Sequence, residues 1–313
     1  MPENKLNILV ARHGRPSQKK VFEKTENSEL IIRSAIFEGF VHRKNPENLK
    51  LRKKVKNLNL KIDSGILIRW GCTSNADTSN CIVYNKANAI KLANDKLAAR
   101  KALEAANIAI PKTYSFSDIQ SNSSNVVWPV IGRPKQHGQG KEFHICNNIQ
   151  EVQNSRNNKN CVYWSEVYHK TREFRVHCMH GKIASILQKP SPTNPESHAW
   201  NFHQQHLAFQ NIPHSDWKNY ICKTALAAVE ALGLNWGGVD VMVCDNYQEL
   251  NVPRIVVCEV NTAPTLTSSE FTMSKYLKYF EWLRRQPTRR EHWDWKSYTS
   301  PKSHAWLESH FEN

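Results

Sequence analysis

Apolar residues recur with two periods along this chain, and the switches between them mark its elements. Residues 7–11 and 66–69 are short runs rich in Ile, Leu and Val that read as strands; residues 30–40 read as a helix, and a lysine-rich polar stretch lies between. Residues 85–107 turn to Ala, Leu, Lys and Asn, with Ile90, Leu97, Leu103 and Ala106 at helical spacing. A break at Ile110-Pro111 closes two consecutive helices, the second capped by Asn94 or Asp95. The Ser- and Asn-rich residues 118–126 read as a polar loop, and residues 130–133 and 143–146 as strands around a glycine-containing turn. Residues 172–189 read as a hairpin. Phe174, Val176 and Cys178 take one face, Glu173, Arg175 and His177 the other, with His180-Gly181 at the tight turn. Trp217, Ile221, Ala225, Val229 and Leu232 then form a helical stripe that stops at Gly233. A second hairpin follows, with strands at 239–244 and 254–260. Tyr276, Leu277, Phe280 and Leu283 mark a last helix.

Composition narrows the class. The 313 residues are 40% hydrophobic and 23% charged, a globular balance with room for two or three units of ordinary size. Apolar runs such as residues 66–68 and 255–257 fall far short of the roughly 18 residues that cross a bilayer. The first residues carry no apolar signal segment, so the expectation is a cytoplasmic protein with no membrane partner. The eight cysteines include no C-x-x-C pair, which argues against a zinc site and for a reducing compartment. Cys178, Cys244 and Cys258 lie in apolar runs, where a thiol acts as a small hydrophobe.

Charge adds a direction. With 43 Lys+Arg against 28 Asp+Glu the formal net charge is +15, a field that attracts nucleotides and polyanions. Basic residues concentrate at 43–56 and 284–290, the second run being followed by Trp293, Trp295, Tyr298 and Trp306. Cations beside aromatics can grip phosphates and stack bases, or can simply form a solvated face.

Three constellations can do chemistry. Gly237-Gly-Val-Asp-Val-Met242 is followed by Val256-Val-Cys-Glu-Val-Asn-Thr-Ala-Pro264. A hairpin centred near position 249 makes Asp240 and Glu259 neighbours, and Asn261, two residues on, points the same way as Glu259. Three convergent oxygen donors suit a hard cation that bridges phosphates. The second constellation runs from Pro129 to Lys141. A strand ends in Arg133, and Lys135 leads into a loop with Gly138 and Gly140 whose backbone can approach phosphate oxygens; it matches neither the Walker pattern nor G-x-G-x-x-G. The third comprises Glu166, Val167 and Tyr168, which can offer backbone donors and acceptors to a purine edge, then Glu173, Arg175 and Lys189 on paired strands.

In this order and spacing, residues 85–285 resemble the ATP-grasp superfamily, specifically its carboxylate-amine ligases of the amino-acid or glutamate type. Asn94-Asp-Lys96, Glu173-Phe-Arg-Val-His177 with Gly181-Lys182, and Asn201 extend the match. The resemblance implies an α+β chain in which two subdomains sandwich ATP. These would be residues 85–167 with the glycine-rich lid and residues 168–313 with the metal ligands and the basic aromatic tail, preceded by a smaller α/β substrate-side domain at 1–84. It further implies that Lys96, Arg133 and Lys135 bind phosphates, that Gly138 and Gly140 form the lid, and that Glu166, Val167 and Tyr168 hold adenine. Glu173 would contact ribose, Arg175, Lys189 and Asn201 would serve the transferred phosphoryl group, and Asp240, Glu259 and Asn261 would bind magnesium, for which manganese can substitute. The implied reaction joins a carboxylate to an amine through an acyl phosphate, the acceptor being a small amine, a nucleic acid or an acidic protein. Two positions depart from the family: a cation that is usually lysine is Arg133 here, and Thr265 replaces a frequent glycine.

The same residues admit other readings. The charge and the tail fit a nucleic-acid-binding protein on a non-catalytic ATP-grasp scaffold, and the same site could serve a kinase. Ala11-Arg-His-Gly14 is similar to the short signature of histidine phosphatases but has no second motif beside it. His198, His203 and His206 match no strong metal spacing, and Met179 and Met242 read as core. Arg69 and Trp70, at a strand end, are candidates to face substrate.

Overall fold

The computed structural model describes residues 6–10, 60–61, 65–73, 76–77, 81–134, 144–191, 216–264 and 270–284. The helix expected at 30–40, the run at 43–56, Ala11 to Gly14, the three histidines and the tail beyond 284 lie outside them. Strands β1 (Leu6–Val10), β3 (Gly65–Trp70) and β5 (Cys81–Tyr84) form a parallel sheet in the order β1-β3-β5, and the two-residue strands β2 (Leu60–Lys61) and β4 (Ala76–Asp77) pair with each other.

Two helices follow, α1 (Ala87–Asn94) and α2 (Lys96–Ala105). Asp95 separates them and caps the second, its side chain accepting from the Ala98 amide at 3.1 Å. Next come β6 (Thr113–Tyr114), α3 (Phe116–Ser121), β7 (Val130–Pro134), β8 (His144–Cys146), α4 (Ile149–Lys159) and β9 (Cys161–Glu166). Their strands form an antiparallel sheet ordered β6-β9-β7-β8 over a core that includes Ile119, Val130, Val152 and Trp164. The polar loop expected at 118–126 is instead α3 followed by a 3-10 turn at Ser123–Asn125. Ser115 and Asp118 form a reciprocal capping box, and Ile119 is buried beneath it.

The third sheet positions the site. It comprises β10 (Arg172–Met179), β11 (Lys182–Gln188), then, after α5 (Asp216–Ala231), β12 (Trp236–Val243) and β13 (Ile255–Asn261), ordered β11-β10-β12-β13 and antiparallel throughout. The β10–β11 turn has both central residues at positive φ, His180 at 49° and Gly181 at 77°, which matches the twist of a two-residue hairpin. The short helix α6 (Tyr247–Leu250) fills the β12–β13 connection, and α7 (Glu270–Arg284) closes the described chain.

Period two divides this sheet. Phe174, Val176, Val239, Val241 and Val257 pack against α1, α2 and α5 through Ile90, Leu103, Ile221 and Val229. The opposite face carries Glu173, Arg175, His177 and Asp240 between two apolar ends. Trp236 and Met179 join Trp70, Tyr276 and Phe280 at one end, while Met242 meets Tyr168 at the other. Trp70, a candidate for substrate contact, is fully buried and stacks on Trp236 with ring centroids 6.2 Å apart. Arg69 is buried too, its Nη1 donating to the Cys72 carbonyl at 3.3 Å. Among the described residues no helix is long and apolar enough to cross a membrane.

Asn85 ties the first sheet to the third. At φ 56°, its Oδ1 accepts from the amides of Asn235 at 2.7 Å and Trp236 at 3.2 Å, and its Nδ2 donates to the Trp236 carbonyl at 3.1 Å. Its own amide donates to Asn235 Oδ1 at 2.7 Å.

Candidate functional site

Asp240 and Glu259 are cross-strand partners, and a bulge just after Asp240 re-aims the two strands beyond them. Asn261 lies two residues past Glu259 and donates from Nδ2 to Glu259 Oε1 at 2.9 Å and to the Gly238 carbonyl at 3.3 Å. Its carbonyl oxygen is used in neither contact. The three side chains expected to hold a metal therefore converge. Among the described residues no three His, Cys, Asp or Glu are placed to hold a metal ion, so the donor set depends on the Asn261 amide oxygen. Two carboxylates and an amide are hard oxygen donors without a nitrogen or sulfur competitor, which fits magnesium or manganese rather than zinc.

Cations surround these carboxylates. Arg175, directly opposite Asp240 on β10, donates from Nε and, at 2.9 Å, from Nη2 to its two oxygens. Lys189, just past β11, donates from Nζ to Glu173 and, at 2.9 Å, to Asp240 Oδ2. Lys96, the first residue of α2, places Nζ 3.2 Å from Glu259 Oε2. Lys170 bonds the second oxygen of Glu173. Asp240, Glu173 and Lys189 are only 3%, 4% and 5% exposed, so this ionic cluster is largely shielded from water.

Burial raises the Asp240 pKa, but Arg175 and Lys189 outweigh it and the carboxyl is held below its ordinary range. Glu259 is held far below its range, first by Lys96. On the cations, burial pulls Lys96, Arg175 and Lys189 down, and the facing carboxylates more than reverse it, so all three stay firmly charged. Four cations meet three carboxylates, leaving the cluster one positive charge in excess and suited to an anion that brings its own counter-cation.

The segment after β9 is anchored by its side chains. Glu166 Oε1 accepts from the Lys112 amide at 3.0 Å, and the Val167 amide donates to the Pro129 carbonyl at 3.2 Å. The Tyr168 hydroxyl donates to the Pro253 carbonyl, with its ring packed beside Met242, Cys244 and Val256. Arg133, at the end of β7, lies opposite Tyr163 of β9. Glu173, expected at ribose, has both carboxylate oxygens engaged by lysines. Lys135, Gly138, Gly140 and Asn201 lie outside the described residues.

Sequence pattern alone does not single out Lys170 or Arg100, whereas Met242, expected as core, is buried. The signals were present: Lys170 precedes Glu173 by three residues, Arg100 follows Lys96 by four on one helix face, and Met242 shares the face of Asp240.

No protein-family model matches the sequence, and no curated protein sequence matches it. Solved structures do. The D-Ala:D-Ser ligase VanG of Enterococcus faecalis matches over 88% of this chain and 99% of its own, with 16% identity and a TM-score of 0.57. D-alanine–D-alanine ligase of Bacillus anthracis, complexed with ATP, matches over 89% and 97%, with 16% identity and a TM-score of 0.53. N5-carboxyaminoimidazole ribonucleotide synthetase of Thermotoga maritima matches over 92% and 78%, with 13% identity and a TM-score of 0.56. The chain has the ATP-grasp fold. The α+β architecture expected from the sequence is the one observed. Within this fold the ionic cluster is built on β10, β12 and β13, with Lys189 just beyond β11 and Lys96 arriving from α2.

Proposed function

We propose that the protein is an ATP- and magnesium-dependent ligase that joins a carboxylate to an amine through an acyl phosphate, releasing ADP and phosphate. The observation that carries this reading is the convergence of Asp240, Glu259 and Asn261 with Arg175, Lys189 and Lys96 on one face of the third sheet. It is supported by the shared architecture with two amino-acid ligases, one of them solved with ATP.

The residues divide the work. Adenine would lie near Tyr168 and Met242, meeting the backbone of residues 166–168 rather than their engaged side chains. Lys96 and Arg133 would hold phosphates. Magnesium, held by Asp240, Glu259 and Asn261, would neutralise charge on the phosphate oxygens. Arg175 and Lys189 are already fixed by Asp240, so they can stabilise charge on the transferring phosphoryl group without reorganising. The substrate carboxylate attacks the γ-phosphorus, ADP leaves, and the amine displaces phosphate from the acyl phosphate. No side-chain nucleophile is required. The amine would be an amino acid or another small amine, or would sit on an anionic macromolecule drawn by the +15 charge.

Trapping with hydroxylamine tests the reaction class. An ATP-dependent hydroxamate is expected in the presence of the correct carboxylate, scored by ADP release across a panel of amino acids. A phosphoester would instead identify a kinase, and nucleic-acid binding without ADP release would identify a binding protein.

A further inference from the structure

Arg100 is held between α2 and the second and third sheets by neutral groups. It follows Lys96 by one helical turn on the same face of α2 and is 8% exposed. Its Nη1 donates to Thr113 Oγ1 at 2.8 Å, and Thr113 passes its own proton to the Pro111 carbonyl at 2.7 Å. Its Nη2 donates to the Cys258 carbonyl at 3.4 Å, and its guanidinium carbon lies 5.7 Å from the centroid of the Tyr163 ring. These partners are a hydroxyl, a carbonyl and a π face. Lys96, Arg175 and Lys189 each face a carboxylate, whereas Arg100 meets none among the described residues.

The three contacts join the parts of the proposed nucleotide site. Cys258 immediately precedes Glu259, Tyr163 lies opposite Arg133, and Thr113 belongs to the second sheet. The Tyr163 hydroxyl feels Arg100, Arg133 and Lys96 together, all three opposing the upward shift that burial imposes. A buried guanidinium is expensive to desolvate, and neutral hydrogen-bond partners offset that only in part. Its charge joins those of Arg133 and Lys96, the two residues assigned to phosphate, around the Tyr163 hydroxyl.

We propose that Arg100 is a positioning residue for the nucleotide phosphates. It locks α2, which carries Lys96, to the strands carrying Glu259 and Tyr163, and it adds a positive charge behind the place where the phosphates bind. This rests on the nucleotide-binding reading above, and the assignment comes from the geometry of these side chains.

The test compares adenosine, AMP, ADP and ATP binding, measured by calorimetry with magnesium present, in the full-length protein and in Arg100→Met, Arg100→Lys and Thr113→Val. The expected result is a loss graded by phosphate: adenosine unchanged in Arg100→Met, ATP weakened about tenfold, and the ATP loss reduced by added salt. Arg100→Lys should recover part of it, because it restores charge without the fork that reaches both Thr113 and Cys258. Equal losses for adenosine and ATP would show a purely structural role, and unchanged ATP affinity would remove the assignment; either overturns the proposal. Should Arg100→Met fail to fold, Thr113→Val, which leaves the charge in place, must show a smaller loss graded the same way, and an ungraded loss there also overturns it. A wild-type protein that binds neither ADP nor ATP overturns the nucleotide reading as well, which separates the two failures.

Discussion

Asp240 and Glu259 face each other across two adjacent strands, yet each is neutralised by cations from different elements: Asp240 by Arg175 and Lys189, Glu259 by Lys96. The carboxylates are thus held ionised by the protein itself, and a metal entering with a nucleotide would meet ligands already deprotonated.

Glu259→Gln keeps the shape of the side chain and removes its charge. Magnesium-dependent ADP production should fall on the order of 100-fold, with a raised magnesium requirement. An unchanged magnesium titration would remove Glu259 from the proposed metal site. Asp240→Ala leaves Arg175 and Lys189 buried without their shared anion and should lower stability by about 3–5 kcal/mol in urea unfolding.

Gly238→Ala probes the packing under the site. An added Cβ would lie 2.7 Å from Pro264 Cβ and 3.0 Å from Arg175 Cδ, and the proline ring cannot swing away. Gly238 is also the register partner of Asn261. We expect about 1–3 kcal/mol of destabilisation and a drop in turnover, through displacement of Arg175 and Asn261. Retention of full activity would mean that this strand has more room than the structure shows.

Asn85→Gly tolerates the left-handed backbone but deletes the side chain that bonds residues 235 and 236. Three hydrogen bonds vanish, two of them buried, leaving two amides and a carbonyl without these partners. A loss of about 3 kcal/mol in denaturant unfolding is expected, and a change below about 0.5 kcal/mol would show that the brace is dispensable.

Acid should destabilise the fold through two histidines on β10 and its turn. Burial pushes His177 down to about 3, helped by Arg175, and His180 down to about 4, so both fold in the neutral form. The unfolded chain binds protons near pH 6.5, so stability is fully present above that value. As pH falls from 6.5 toward 4.5, stability should drop by up to ~1.4 kcal/mol per pH unit for each histidine. His180→Asn, which suits the φ of 49°, should roughly halve that slope in urea titrations at several pH values. An unaltered slope would place the pH dependence elsewhere.

Much of the site was legible from the chain because it depends on short-range geometry. Two residues on one strand share a face, and two residues equidistant from a turn become partners; these rules alone placed Glu173, Arg175 and His177 together and Asp240 beside Glu259. The hairpin at His180-Gly181 was local in the same sense, and so was the helix cap, which the sequence left between Asn94 and Asp95 and the structure gives to Asp95. The helix at Phe116–Ser121 was legible too, through Ser115 and Asp118, but its Ser and Asn content masked the capping box.

Which charge meets which was decided by tertiary structure. Lys96 reaches Glu259 only because α2 packs on the third sheet, and Arg100 reaches Cys258 for the same reason. Glu173 lies between Lys170 and Lys189 rather than open to a ribose, and Trp70 enters an aromatic cluster shared by two sheets and α7. Periodicity fixes the direction of a side chain relative to its own element. The packing of one element on another sets its distance to a partner far along the chain, and buried ion pairs depend on that distance.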